Sequence, residues 1–203
     1  MAVISPHSAF VHIPKTGGNF VRLCLAENDL ELREANEGPD GRTPTQAHQS
    51  HRALAAYPDL FSYSFVRNPY QWYRSAFCYR QQRGWPQHGR GMDLDACKSD
   101  SFAEFVFGAC EAFPGFLTQL YEQMIGNPIA VDYLGRTETL REDLCEALTL
   151  AGEAFDVASI MDRTKSNTAG ALGKFDEVIL TTEIKERIYD SENTSFDRYG
   201  YPQ

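Results

Sequence analysis

The sequence predicts an α/β fold with a central parallel sheet flanked by helices, and three observations carry that reading. Short apolar runs rich in β-branched and aromatic residues recur along the chain. Segments with helical apolar spacing follow them, and Pro or Gly marks the breaks. Strands that alternate with helices pair in parallel through helical crossovers.

Taken in order, Ala9-Phe10-Val11-His12-Ile13 is apolar, stops at Pro14 and reads as a buried strand. Asn19 to Glu27 then places Phe20, Leu23, Cys24 and Glu27 at helical spacing. Residues 28–46 are polar, carry Gly38, Pro39, Gly41 and Pro44, and read as a loop. A short helix is expected from about His48 to Ala56. Phe61 to Val66 is the second strand, and Pro69 suits the first turn of a helix running to about Gln82. Residues 83–99 read as a Gly-containing loop. Ser101-Phe102-Ala103-Glu104 has the form of a capping box, and a further helix is expected over Phe116–Ile125. Ile129 to Leu134 reads as a third strand. A second box, Thr139-Leu140-Arg141-Glu142, opens a helix to about Ala151, residues 155–173 read as a loop, and a late helix covers Glu183–Tyr189.

With 203 residues the chain is expected to form one domain over residues 1–203. Its net charge of −9, from 19 Lys+Arg against 28 Asp+Glu, argues against a nucleic-acid binder, which needs a basic face to displace counterions. No apolar run is long enough to span a membrane, and Met1 to His7 lacks the basic-then-apolar pattern of a secretory signal. Five cysteines, an odd number without a Cys-x-x-Cys pair, make neither a disulfide framework nor a zinc knuckle. Cys24, Cys78 and Cys145 are expected to be buried thiols, and a reducing cytoplasm is the expected location.

The charge is unevenly spread. Between Asp59 and Asp93 there is no acidic residue, while Arg67, Arg74, Arg80, Arg83, Arg90 and His88 all fall there. Arginine favours bidentate contacts to phosphate or sulfate, so the segment reads as a local anion site. A second anion signal lies between the first strand and the first helix, in Pro14-Lys15-Thr16-Gly17-Gly18-Asn19. Backbone N–H groups there, together with the helix N-terminus, form a cradle for anionic oxygens, which the two glycines allow close to the chain. This is not a Walker A loop, because the lysine precedes the glycines. Gly-x-Gly-x-x-Gly, Gly-x-Ser-x-Gly and His-Glu-x-x-His are missing from the sequence too. Phe65-Val66-Arg67-Asn68-Pro69 ends the second strand, with Ser75 two turns into the next helix. Two anion sites on one sheet edge suit a nucleotide phosphorylated at both ends of its ribose.

These motifs resemble those of the sulfotransferases that use 3′-phosphoadenosine 5′-phosphosulfate (PAPS). The resemblance is greatest to their carbohydrate branch, which includes the heparan sulfate 2-O-sulfotransferases and related bacterial proteins. Pro14-Lys15-Thr16-Gly17-Gly18 looks like the family's 5′-phosphosulfate loop, and Arg67 with Ser75 like its 3′-phosphate motif. Leu134-Gly135-Arg136-Thr137-Glu138 is similar to the later strand-end motif, and Phe196-Asp197-Arg198-Tyr199-Gly200-Tyr201 to the usual C-terminus. Asn19 stands where the family has Thr or Ser, and Trp72 where an Arg is common.

The resemblance implies a P-loop-like sulfotransferase fold and in-line sulfuryl transfer from PAPS to an acceptor hydroxyl, without a metal. Lys15, Thr16, Gly17, Gly18 and Asn19 would hold the 5′ phosphosulfate. Arg67 and Ser75 would hold the 3′ phosphate, and Ser166 and Asn167 would lie near the nucleotide. Lys15 would neutralise charge on the bridging oxygen, and His48 matches the general base, a role that neutral imidazole suits near pH 7. His48 and His51 at i, i+3 have no evident third ligand for a metal. His7, His12 and His88 read as structural or surface positions. The acceptor is expected to be carbohydrate, an anionic glycan bound by the Arg-rich 74–90 segment being one form of it. The other readings are a phosphotransferase with a degenerate phosphate loop and a non-catalytic nucleotide- or glycan-binding module on the same fold.

Overall fold

Ser8-Ala9-Phe10-Val11 pairs on both sides, and that places it at the centre of a mixed sheet. In the computed structural model, which describes residues 2–30, 32–34, 51–85, 93–163 and 178–203, five strands are arranged in the order β3-β1-β2-β4-β5. They are β1 (Ala2–Ile4), β2 (Ser8–Val11), β3 (Arg33–Glu34), β4 (Phe61–Val66) and β5 (Tyr133–Arg136). Strands β2, β4 and β5 run parallel, whereas β1 pairs antiparallel with both β2 and β3. The α/β class is as expected, but the sheet is not wholly parallel. A tight turn at Ser5–Ser8 folds β1 back on β2, and its Ser5 amide donates to the Ser8 carbonyl at 2.9 Å. Two-residue returns of this kind can only make antiparallel pairs.

Seven α-helices lie among the described residues: α1 (Gly18–Glu27), α2 (Pro69–Arg83), α3 (Phe102–Ala112), α4 (Phe116–Ile125), α5 (Leu140–Ala151), α6 (Val157–Met161) and α7 (Thr182–Tyr199). No helix among them is long and apolar enough to cross a membrane. The chain divides into two compact units, Met1–Arg67 with Tyr121–Lys165, and Asn68–Leu120 with Ser166–Gln203.

In the first unit the period-2 alternation of the strands sends Phe10, Tyr63 and Phe65 to one face. There they pack against Phe20, Val21, Cys24 and Leu25 of α1, Leu144, Ala147 and Leu148 of α5, and Ile160 of α6. Ala2, Ile4 and Ala9 face the other way, onto Leu54, Tyr57 and Leu60. The described part of the expected 48–56 helix is a 3₁₀ segment, His51–Ala56. Buried Glu153 fastens the β1–β2 turn to the end of α5: its Oε1 accepts from the Ser5 hydroxyl at 2.5 Å, the Ser8 hydroxyl at 2.8 Å and the His7 amide at 3.0 Å.

The third strand begins later than the expected residue 129, and a side chain explains it. Asp132 Oδ2 accepts from the Ser62 amide at 2.7 Å and the Ser62 hydroxyl at 2.6 Å, so the backbone ladder starts one residue on, at Tyr63 with Tyr133. The box expected at Thr139 does not form either. The Thr139 hydroxyl donates to Asp143 at 3.0 Å, and the same carboxylate accepts the Arg136 amide at 2.5 Å, closing the turn from β5 into α5. Helix α6 falls inside the expected 155–173 loop because Asp156 caps it, accepting from the Ala158 amide at 2.9 Å.

In the second unit α2 starts as its sequence dictates. The Asn68 side chain accepts from the Tyr70 amide at 3.0 Å, Pro69 fills the first helical position, and Gly84 ends the helix at φ 69°. Trp72, one of the two departures from the resembled motifs, is fully buried against Tyr73 and Phe116 and belongs to the core. Phe77, Trp85, Phe102 and Phe105 extend that core as an aromatic cluster. Only half of the Ser101 box is made: Ser101 Oγ accepts from the Glu104 amide at 3.4 Å, while the Glu104 carboxylate accepts from the Ser99 hydroxyl.

Helix α7 runs ten residues beyond its expected end, with a kink at Glu192 (φ −118°). Glu192 is fully buried and its carboxylate occupies the N-terminus of α4. One oxygen accepts from the Leu117 amide (2.9 Å) and the Tyr73 hydroxyl (2.8 Å), the other from the Thr118 amide (3.0 Å) and hydroxyl (2.9 Å). Four donors and a helix N-terminus favour the anion, yet burial dominates and raises its pKa. Each oxygen faces one backbone N–H, so a glutamine must point its NH₂ at a donor in either orientation. Glu192→Gln is therefore expected to cost about 1–3 kcal/mol in urea unfolding; a variant as stable as the wild type would show that the carboxylate does not cap α4.

Candidate functional site

Parallel register brings the C-terminal ends of β2, β4 and β5 to one edge of the sheet. Val11 lies beside Ser64, and Val66 beside Arg136, so the chain leaves all three strands at neighbouring points. Open α/β sheets bind ligands outside this edge. Side chains tie the three exits together. The Thr137 hydroxyl donates to the Val66 carbonyl at 2.9 Å, joining the third exit to the second. The Arg67 guanidinium donates from Nη1 to the Lys15 carbonyl at 3.1 Å, joining the second to the first.

The first exit is a turn that runs straight into α1. Lys15 takes φ 68° and Gly17 φ 87°. The left-handed region costs an L-residue about 1–2 kcal/mol, so Lys15 is held there by its surroundings. Thr16 is buried, and its hydroxyl donates to the Ile13 carbonyl at 2.9 Å, bracing the turn from inside. What Thr16 offers an anion is its backbone N–H. Gly17 is the N-cap of α1 and supplies no side-chain cap, and no acidic residue stands in the first turn. The positive end of the helix is thus not neutralised by its own side chains.

Both glycines are required by what surrounds them. A Cβ on Gly17 would come within 2.5 Å of Leu140 Cδ2, and one on Gly18 within 2.0–2.6 Å of the His12 ring. Asn19 is exposed at the first turn of α1. His12, assigned above to a structural or surface position, sits at the base of this loop, stacked on Phe10 with ring centroids 5.8 Å apart. Burial, reinforced by the positive charges of the N-terminal amine, Arg22 and Lys15, lowers its pKa from 6.5 to about 4. The imidazole is therefore neutral at pH 7.

Arg67 is positioned by Tyr121, a residue that sequence reasoning missed. The fully buried Tyr121 hydroxyl accepts from the Arg67 amide at 3.0 Å and donates to the Arg67 carbonyl at 2.9 Å. Its only sequence signal was an aromatic residue in an apolar helix. Thr137 belongs to the strand-end motif quoted above, but its bond to the neighbouring strand's carbonyl was not read from the sequence. Arg136 is exposed at the end of β5.

Ser75 is buried on α2, in the second unit. His48, Ser166 and Asn167 lie outside the described residues, as do His88 and Arg90. In the Arg-rich segment, Arg80 is buried and pairs with Asp95 at 2.9 Å, and Arg83 lies over the Tyr79 ring. That part of the positive charge serves the second unit's own packing. All five cysteines are free thiols; Cys24, Cys78 and Cys110 are buried, but Cys145, expected to be buried, is only half-buried. Among the described residues no group of three His, Cys, Asp or Glu side chains is arranged to hold a metal ion. Comparison with family models, curated proteins and solved structures finds no match to this chain.

The His12 shift has a pH consequence of definite sign. A histidine with a lower pKa folded than unfolded is protonated preferentially in the unfolded chain. Its contribution to stability is complete above about pH 6.5 and is lost as pH falls toward about 4. Between pH 7 and 4.5 the stability gap between wild type and His12→Gln should shrink by about 2 kcal/mol. Denaturant unfolding at the two pH values measures this, and a gap that does not change with pH would show that the ring is not held neutral by the fold.

Proposed function

We propose that the chain is a PAPS-dependent sulfotransferase that moves a sulfuryl group to an acceptor hydroxyl, on a carbohydrate. The observation that carries the reading is the 3.1 Å bond from Arg67 Nη1 to the Lys15 carbonyl, because it joins two anion-binding motifs that lie 52 residues apart in sequence. The donor set suits a nucleotide with phosphates at both ends of its ribose. Backbone N–H groups at the start of α1 and the Lys15 ammonium serve one end, and the arginine at the end of β4 serves the other.

In this reading the N–H groups of Thr16, Gly17, Gly18 and Asn19 hold the 5′ phosphosulfate and Arg67 holds the 3′ phosphate. The acceptor oxygen bonds to sulfur as the bond from sulfur to the 5′-phosphate oxygen breaks, leaving adenosine 3′,5′-bisphosphate. Lys15 offsets the negative charge that builds on the departing oxygen, a contribution made mainly in the transition state. His48 takes the proton of the acceptor hydroxyl.

Two measurements test the reading. Calorimetry should show adenosine 3′,5′-bisphosphate binding at least about tenfold more tightly than AMP, since a hydrogen bond to a charged partner contributes about 1.5–3 kcal/mol. Arg67→Ala should lose most of that preference. Equal affinity of the wild type for the two nucleotides would sink the proposal. With radiolabelled PAPS and a hydroxylated glycan panel, His48→Ala should retain nucleotide affinity and lose about 10²–10⁴ in turnover. Transfer at the wild-type rate would remove His48 from the mechanism.

A further inference from the structure

We propose that Tyr121 is a positioning residue that gives this site its preference for a 3′-phosphorylated nucleotide, an inference that rests on the reading of Arg67 as the 3′-phosphate contact. Arg67 lies one residue past Val66, whose pairing with Arg136 is the last in the β4–β5 ladder. Its backbone groups therefore continue beyond the sheet, where a strand neighbour no longer sets their direction. The Tyr121 hydroxyl takes up both, accepting the amide at 3.0 Å and donating to the carbonyl at 2.9 Å. Engaging both groups fixes the peptide planes on either side of the Arg67 Cα, and with them the direction in which its side chain leaves the chain. That side chain reaches the Lys15 carbonyl at 3.1 Å.

The phenol is fully buried, and a phenylalanine would fill the same apolar space without a hydroxyl to satisfy. Here the hydroxyl both donates and accepts, and both bonds go to Arg67, whose side chain reaches the first motif. Tyr121 does not touch the ligand in this account; it acts through the aim of Arg67.

Tyr121→Phe separates aim from packing. The variant keeps the ring, so it should bind AMP about as well as the wild type, while the preference for adenosine 3′,5′-bisphosphate falls from about tenfold to about twofold. A hydroxyl that served stability alone would lower the melting temperature and leave the ratio of the two affinities unchanged. Amide hydrogen exchange on the wild-type protein provides a measurement that needs no variant: the Arg67 N–H should exchange at least about a thousandfold more slowly than an unprotected amide. A folded Tyr121→Phe protein with the wild-type preference overturns the proposal, and so does an Arg67 amide that exchanges freely. A wild-type protein that binds both nucleotides equally overturns the sulfotransferase reading instead, and the Arg67 exchange rate then decides the clamp by itself.

Discussion

The arrangement of the candidate site depends on how the chain leaves β4. A strand end strips the next residue of its ladder partners, yet buried amide and carbonyl groups must still be satisfied. At Arg67 one buried phenol meets that demand on both sides. The guanidinium can then be used for something other than local repair. It carries five N–H donors in a planar fork, one of which bonds the Lys15 carbonyl. A lysine at this position would present a single rotatable ammonium and could not hold the carbonyl and an anion in a fixed relative geometry. Arginine at the strand end is thus a structural and an electrostatic choice at once.

The loop that Arg67 braces is strained, and its neighbours hold the strain. Lys15 in the left-handed region, a buried Thr16 bonded back to Ile13, Leu140 against Gly17 and the His12 ring against Gly18 constrain the turn from four sides. The donors at the start of α1 are consequently oriented before any ligand arrives. Preorganised donors need no rearrangement as charge develops, which is why such loops contribute to catalysis beyond simple attraction. The same crowding explains why alanine would fail at either glycine for a different reason. At Gly17 the positive φ strains it and Leu140 must shift, whereas at Gly18 the obstacle is the histidine ring alone.

Much of this was legible in the sequence. Helix α4 has its expected bounds, Asn68 and Pro69 start α2, and the lysine–glycine turn sits between a strand and a helix. These features are local: they rest on apolar spacing, caps and turn residues that act within a few positions. The Thr139 box and the short α6 are local misses, decided by Asp143 and Asp156 within a few positions, and the larger misses are long-range. Strand β1 is three residues long and reads as nothing until Ser5 and Ser8 turn it back onto β2 and Glu153 holds the turn from α5. The late start of β5 is set by a bond from Asp132 to Ser62, 70 positions away. The full length of α7 depends on Glu192 reaching the first turn of α4, 74 and 75 positions away. Tyr121 was passed over because an aromatic in an apolar pattern reads as packing, and only the fold reveals that its hydroxyl reaches the Arg67 backbone.

Under the proposed function, a chain of net charge −9 would have to attract a ligand that carries several negative charges. Screening makes this possible: at physiological ionic strength interactions between exposed charges decay over about 8 Å, so the local set matters more than the total. At this edge several cations gather, although the Asp143 carboxylate accepts the Arg136 amide there and Glu138 follows β5. Lys15 and Arg67 are joined through the Lys15 carbonyl, Arg136 ends the adjacent strand, and Arg22 follows one turn into α1. His12 responds to the positive charge around it, since the N-terminal amine, Arg22 and Lys15 add to burial in keeping its ring unprotonated. A neutral imidazole fits tightly under Gly18 without adding a buried charge that would need its own partner. Positive charge is thereby concentrated on side chains able to face solvent and a ligand, while the base of the loop stays neutral and closely packed.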